Sequence, residues 1–224
     1  MLLSLSAPTG RLCVGVQNDY LCFLWGLVSN HLGKCLYLRK LEVYSQSEDY
    51  HTNTTTMSDD VGKKDEHHTR PQIAILDFGS QYTHLIARRI REMNVYCELH
   101  NCAIGPNELT CNGTRPIVGI VLSGGPNSVY EDEAPHVHTD IWEYVQRMNI
   151  PILGICYGMQ ELAHVFGGKV DSSAHHEYGK ATVTRSAGCN STLFTNLPDE
   201  FDMWMSHGDK LTQVPLGFKA VGTC

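Results

Sequence analysis

Pro151-Ile152-Leu153-Gly154-Ile155-Cys156-Tyr157-Gly158-Met159-Gln160 is the stretch on which the reading of this chain turns. Ile152 to Ile155 is a short, continuous apolar run, the pattern of a strand buried on both faces. Residues 157–166 then follow a helical pattern that stops at Gly167-Gly168. Gly154-Ile155-Cys156-Tyr157-Gly158 therefore sits where a strand gives way to a helix. It has the form of the G-x-S-x-G nucleophile elbow with Cys in place of Ser. So tight a turn leaves no room for β-carbons beside the nucleophile, which accounts for both glycines. Backbone N–H groups and the dipole at the start of a helix favour thiolate. A buried structural cysteine is the competing reading of Cys156.

Upstream, the same alternation of short apolar runs and amphipathic stretches begins at Pro71. Ile73-Ala74-Ile75-Leu76 ends at Asp77-Phe78-Gly79-Ser80 and reads as a strand and turn. Residues 82–93 have helical spacing, with Leu85, Ile86, Ile90 and Met93 on one side and Arg88, Arg89, Arg91 and Glu92 mostly on the other. Further strands are expected at 95–99 and 117–122, and a helix at 140–148. Beyond the elbow, strands are expected at 180–184, 202–205 and 218–221. The alternation predicts an α/β domain over residues 71–224, with a mostly parallel central sheet and helices on both faces. The cysteine then falls at the carboxyl end of a strand, where such sheets place their sites.

Residues 1–70 read differently. They show no sustained period of 2 or 3.6 and close with a polar run, 45–70, expected to be disordered. Met57 falls inside that run, and translation from it leaves residues 1–56 as a non-native leader. The longest apolar run, 20–28, falls short of the roughly 18–20 residues of a membrane helix. It lacks the flanks of a signal peptide, and Arg11 alone makes no presequence.

Lys and Arg total 17 against 24 Asp and Glu, a net charge of −7, which argues against binding nucleic acid through phosphate neutralisation. Nine cysteines form no CxxC pair and are odd in number, so free thiols and a cytoplasmic location are expected. The sequons at Asn53, Asn112 and Asn190 are then chance matches. His136-Val137-His138 beside Glu131-Asp132-Glu133, His67-His68 and His175-His176 lack the spacing of a zinc site, and no metal is expected. No G-x-G-x-x-G or Walker A run supports a nucleotide fold.

Ser123-Gly124-Gly125-Pro126 ends the strand at 117–122 with a turn able to aim a backbone N–H at a reacting carbonyl. Paired with the N–H of Tyr157 it makes a candidate oxyanion hole. Four segments come in order: Asp77-Phe-Gly-Ser-Gln-Tyr-Thr83, Leu122-Ser-Gly-Gly-Pro-Asn-Ser128, Gly154-Ile-Cys-Tyr-Gly-Met-Gln160 and Trp204-Met-Ser-His-Gly-Asp209. Together they closely resemble the class I glutamine amidotransferase domain of the GMP synthase family. The resemblance runs from about Ile73 to Cys224, and implies a flavodoxin-like architecture. It makes Cys156 the nucleophile toward the glutamine side-chain amide, through a γ-glutamyl thioester. Gly125 and Tyr157 become the oxyanion donors, and Gln160, Ser206, Gly208 and Asp209 the residues that hold glutamine.

In that family the ammonia passes to an ATP pyrophosphatase (synthetase) domain, which uses ATP and Mg2+ to convert XMP to GMP. No such domain is in this sequence, and the amidotransferase domain itself needs no cofactor. The family's His-Pro-Glu motif, which completes a Cys-His-Glu triad, is also absent, so the domain reads as incomplete at its C-terminus and weak or inactive alone. His207 with Asp209 is a poor substitute, since an i, i+2 pair across a glycine turn makes bad relay geometry. His164, two turns past Cys156, reads as packed or surface. The basic face of 88–91 reads as solvated or as a contact for the synthetase domain. Alternatives are another class I amidotransferase, such as the small subunit of anthranilate or carbamoyl-phosphate synthase, or a catalytically silent glutamine-binding fragment.

Overall fold

The structure is a computed structural model that describes residues 2–5, 13–16, 70–188, 194 and 197–223. At 2–5, 13–16, 173–178 and 204–207 the description is of backbone alone. The run at 20–28, Met57, His67-His68 and the sequons at Asn53 and Asn190 lie outside the described residues.

The strands are β1 (Leu2–Leu5), β2 (Cys13–Val16), β3 (Gln72–Asp77), β4 (Cys97–Asn101), β5 (Ile117–Leu122), β6 (Ile152–Ile155), β7 (Lys169–Arg185), β8 (Glu200–Gln213) and β9 (Phe218–Thr223). Among the described residues four helices alternate with them: α1 (Thr83–Glu92), α2 (Pro106–Leu109), α3 (Thr139–Met148) and α4 (Tyr157–Val165). One sheet joins the strands in the order β4-β3-β5-β6-β2-β1-β9-β7-β8. The central strands β4, β3, β5 and β6 are all parallel, while the flank from β1 onward pairs antiparallel.

The apolar runs explain why these strands sit in the middle. A parallel sheet covered on both faces needs hydrophobic residues at successive positions, because successive side chains point to opposite sides. Ala74 and Leu76 accordingly pack with α3 and α4 residues such as Ile141, Val145, Met159 and Leu162. Ile73 and Ile75 pack on the other face with Ile86, Ala87 and Ile90 of α1. Fully burying one such aliphatic side chain contributes about 1.5–3 kcal/mol, so the two layers fix the register of the whole centre. Local chemistry sets the helix ends. His138 caps α3, its Nδ1 accepting from Asp140 N at 3.2 Å, and Asn149 closes the helix in the left-handed region at φ 51°.

Three differences from the sequence expectations stand out. The leading stretch is not wholly apart from the domain: β2 pairs parallel with β6 (Cys13↔Ile152 to Val16↔Ile155), and β1 joins β2 to β9. Both are four-residue strands, too short to show a period, and they answer backbone groups on β6 and β9 that otherwise lack ladder partners. Second, β7 and β8 form a much longer antiparallel arm than the short runs at 180–184 and 202–205 suggest, with a register shift between Ser172 and Glu177. Third, the basic face of α1, exposed as a solvated face would be, is also partly paired at home. Arg88 and Arg89 both reach Glu92, at 3.0 and 2.9 Å, and Arg91 donates to Cys97 O at 3.0 Å. The Arg89 hydrogen bond leads in holding the Glu92 carboxyl below its ordinary range, with Arg88 adding to it.

Candidate active site

The elbow forms because β6 ends against α4 with no spare volume. A Cβ on Gly154 would lie 2.6 Å from Gly158 O, and one on Gly158 would lie 2.5 Å from both Cβ and O of Leu122. Neither distance is tolerable, so glycine is obligatory on each side of the turn. Cys156 between them takes φ 50° and ψ −109°, a conformation L-residues avoid and one associated with functional strain. Its carbonyl accepts from Met159 N at 3.0 Å and Gln160 N at 3.1 Å, so the first turn of α4 begins directly at the nucleophile. Cys156 is partly exposed, whereas Cys97 and Cys102 are buried and burial pushes both of their thiols up.

The loop after β5 lies against this turn. Ser123 O accepts from Gly158 N at 3.0 Å, locking the loop to the elbow. A Cβ on Gly124 would come within 3.7 Å of Cys156 Cβ, which places the backbone at Gly124 alongside the thiol. Gly125 is pressed between Phe78 and Tyr157: an added Cβ would sit 2.9 Å from Phe78 O and 3.3 Å from Tyr157 Cγ. The Phe78 and Tyr157 rings pack at 5.1 Å. Gly125 and Tyr157, the two expected oxyanion donors, are thus brought together beside Cys156.

A third loop, between β3 and α1, supports the other two. Asp77 Oδ1 accepts from Thr83 Oγ1 at 2.6 Å and from Gly79 N at 3.0 Å. Ser123 Oγ accepts from Phe78 N at 3.1 Å and lies 3.5 Å from Asp77 Oδ1. One carboxylate and one hydroxyl therefore tie the Asp77 turn to the Ser123 turn. Along the chain Asp77, Thr83 and Ser123 are simply members of two separate motifs; their joint role needs the sheet, which sets β3 beside β5.

Gln160, one turn into α4, is buried, and its side-chain Oε1 has no hydrogen-bond partner. An unpartnered buried acceptor one helical turn from Cys156 is a group whose burial calls for an explanation. Gly208 and Asp209 lie in β8, Asp209 opposite Ser172; Ser206 and His207 stand opposite Tyr178 and Glu177 in the same ladder, their side chains outside the description. His164 is on the exposed side of α4, stacked on His136 at 5.7 Å and met edge-on by Tyr130 at 5.2 Å. Of the histidines whose spacing argued against a zinc site, His136 meets Glu161 Oε2 through Nδ1 at 2.8 Å, and His138 caps α3. Glu161 is the residue sequence reading missed: it points away from Met159 and Ala163, and only the burial of α4 on every side from Tyr157 to Ala163 brings it inside. Among the described residues no helix is long and apolar enough to cross a membrane.

Comparison with known proteins agrees with this geometry. Residues 74–224 match the model of the family described as glutamine amidotransferase class-I. The chain is 47% identical over 154 residues to a glutamine-hydrolyzing GMP synthase of Schizosaccharomyces pombe, covering 67% of this chain and 27% of that protein. Against the protein of the same name from Geobacillus kaustophilus it is 50% identical over 151 residues, covering 67% of this chain and 28% of the relative. The chain thus spans under a third of the length of these relatives. The crystal structure of a GMP synthase subunit from Thermoplasma acidophilum superposes with TM-score 0.54 at 33% identity, covering 68% of this chain and 72% of that one. The strand-elbow-helix around Cys156, the glycine turn beside it and the match over residues 74–224 lead to one assignment: this chain belongs to the class I glutamine amidotransferase family.

Proposed function

We propose that residues 71–224 are the glutamine-hydrolysing part of a GMP synthase. The observation that supports the reading is the strained Cys156 at the elbow, with the Gly124-Gly125 turn packed against it and against the Tyr157 ring. In this reading Cys156 Sγ attacks the side-chain carbonyl carbon of glutamine, and the C–S bond forms as charge moves onto oxygen. The N–H groups of Gly125 and Tyr157 meet that charge, an effect for which one lost donor typically costs about 10²–10³ in rate. The C–N bond then breaks, ammonia leaves with an added proton, and a γ-glutamyl thioester remains for water to hydrolyse. Gln160, with Ser206, Gly208 and Asp209, holds the amino-acid end of the substrate.

The ammonia goes to a synthetase domain outside this sequence, which binds ATP and Mg2+ and aminates XMP to GMP in the cytoplasm. Proton transfer to the leaving ammonia and from the attacking water is worth about 10²–10⁴-fold, and the sequence places no convincing residue after Cys156 for it. Residues 1–224 alone are therefore expected to acylate slowly and not to turn over.

The test is glutamate release by the 224-residue chain beside one extended through a His-Pro-Glu segment, with mass spectrometry after an electrophilic glutamine analogue. The expected result is an adduct on Cys156 alone among nine cysteines, and multiple turnover only in the extended chain. An adduct elsewhere overturns the nucleophile. Equal turnover in both chains places the base inside these residues, with His207 the first candidate. A labelled Cys156 whose ammonia serves a different acceptor indicates another class I amidotransferase.

A further inference from the structure

Among the residues whose side chains are described, Glu161 is the acidic one that is buried, at 1% exposure, and it lies on the nucleophile helix. A carboxylate out of water is tolerated when its oxygens are answered. Here both are. Oε1 accepts from Val137 N at 3.0 Å, and Oε2 meets His136 Nδ1 at 2.8 Å. Tyr157, one turn earlier on α4, donates from its hydroxyl to Pro135 O at 2.8 Å. Residues 135–137 are thus fastened to the first two turns of α4 by two of its side chains. Those residues are the downstream end of the loop whose upstream end carries Gly125, and the Tyr157 ring packs directly on Gly125. The loop that carries Gly125 is therefore held against α4 at both ends.

We propose that Glu161, together with His136, is a positioning residue for the oxyanion site: it seats the 126–137 loop on α4 so that the N–H groups of Gly125 and Tyr157 converge. It touches no reacting atom and acts through Val137, His136 and the loop. The inference rests on the proposed nucleophile reading. With the carboxylate accepting at both oxygens, His136 supplies Nδ1–H. A glutamine in its place still accepts from Val137 N but turns an amide N–H, not an acceptor, toward His136 Nδ1. The titratable groups around the pair are Glu161, Tyr157 and His164 on α4, Tyr130 and Glu131 on the loop, and Cys102 after β4.

The experiment compares two reactions at Cys156 in the 224-residue chain. A p-nitrophenyl ester of the glutamate side chain acylates the thiol through a tetrahedral oxyanion: the C–S bond forms and p-nitrophenolate leaves. Iodoacetamide alkylates the same thiol by direct displacement of iodide, with no oxyanion. The ratio of the two rates isolates the donors, and peptide mapping confines it to Cys156. Glu161→Leu is expected to lower the ratio by about tenfold or more while alkylation holds within about twofold. Glu161→Gln, which still accepts from Val137 N, is expected to keep most of the ratio, whereas His136→Ala, which removes the other partner, is expected to lower it. An unchanged ratio in folded Glu161→Leu overturns this inference alone. Should that variant not fold, an unchanged ratio in folded His136→Ala overturns it. A parent chain whose ratio matches that of its urea-unfolded form overturns the nucleophile reading and this inference together.

Discussion

Gly158 illustrates how little freedom single residues have in this site. Its missing Cβ would collide with the backbone of Leu122, the last residue of β5, which is itself fully buried. Backbone cannot step aside as the end of a flexible side chain does, so Gly158→Ala must push α4 away from β5. Overpacking of this kind costs about 1–3 kcal/mol, which for a chain of this size lowers the melting temperature by roughly 2–4 °C per kcal/mol. The same displacement carries the Tyr157 N–H with the helix. Gly158→Ala is therefore expected to melt several degrees lower and also to slow acylation of Cys156. Thermal denaturation with acylation kinetics on the folded variant checks both. A variant that melts normally and acylates normally shows that the elbow does not depend on this contact.

Among the elements, β4 carries the clearest electrostatic commitment away from the active site. Glu98 accepts from Tyr96 Oη at 2.7 Å and Gln72 Nε2 at 3.4 Å, and lies 3.3 Å from Arg115 Nη1 and 3.8 Å from His100 Nε2. Burial alone pushes the Glu98 carboxyl up, but the Tyr96 hydroxyl and the Arg115 charge outweigh it and hold it below 4.5. Burial dominates for His100 and holds it below 6.5. The signs agree. The unfolded chain takes up protons at both groups before the folded one does, so both contributions are present above those ordinary values and are lost on acidification. Melting temperature is expected to begin falling below about pH 6.5 from His100, with a second loss below about pH 4.5 from Glu98. His100→Asn should flatten the first part and leave the second. Melting curves across that range check it, and an unchanged slope in the variant removes His100 from the account. The elements themselves were unevenly legible. β3, β5, β6, α1, α3 and α4 follow from periodicity, because each presents a continuous apolar run or one apolar face. α2 is four residues long and shows no period, and β4 begins two residues later than Val95 suggests. The β7–β8 arm alternates weakly, because much of it is polar on both faces.

At the scale of the whole molecule, the sheet is continuous only because β1 and β2 stand between β6 and β9. Removing residues 1–56 opens two ladder edges at once, and unpaired edges are sites of fraying and association. A chain starting at Met57 is expected to melt several degrees below residues 1–224, since each 1 kcal/mol lost corresponds to roughly 2–4 °C. Amide exchange should rise along Ile152–Ile155 and Phe218–Thr223. Equal melting and exchange would mean the leading strands add nothing. The site shows the complementary lesson about legibility. Gly154 to Gly158 is local, so chain order alone reveals the elbow, and the glycine turn at 123–126 is local in the same sense. Glu161 and His136 lie 25 positions apart and meet only once α4 packs against the loop that follows β5. Adjacency along the chain, the only proximity the sequence displays, sets His136 beside His138 and Glu131-Asp132-Glu133 and gives no hint of Glu161.

The conformation of Cys156 has a further consequence, for mutation rather than chemistry. Cysteine and glycine codons differ by a single base, and φ 50° with ψ −109° suits glycine better than any residue bearing a Cβ. The position thus has a one-step escape to a less strained backbone, closed only by a need for sulfur. In a saturation library of this chain, selection for cellular abundance alone is expected to enrich Gly at 156. Selection for glutamine-dependent activity in an extended chain is expected to eliminate it. Depletion of Gly in both selections would mean that the cysteine is held there by packing, and that the strain serves no chemistry.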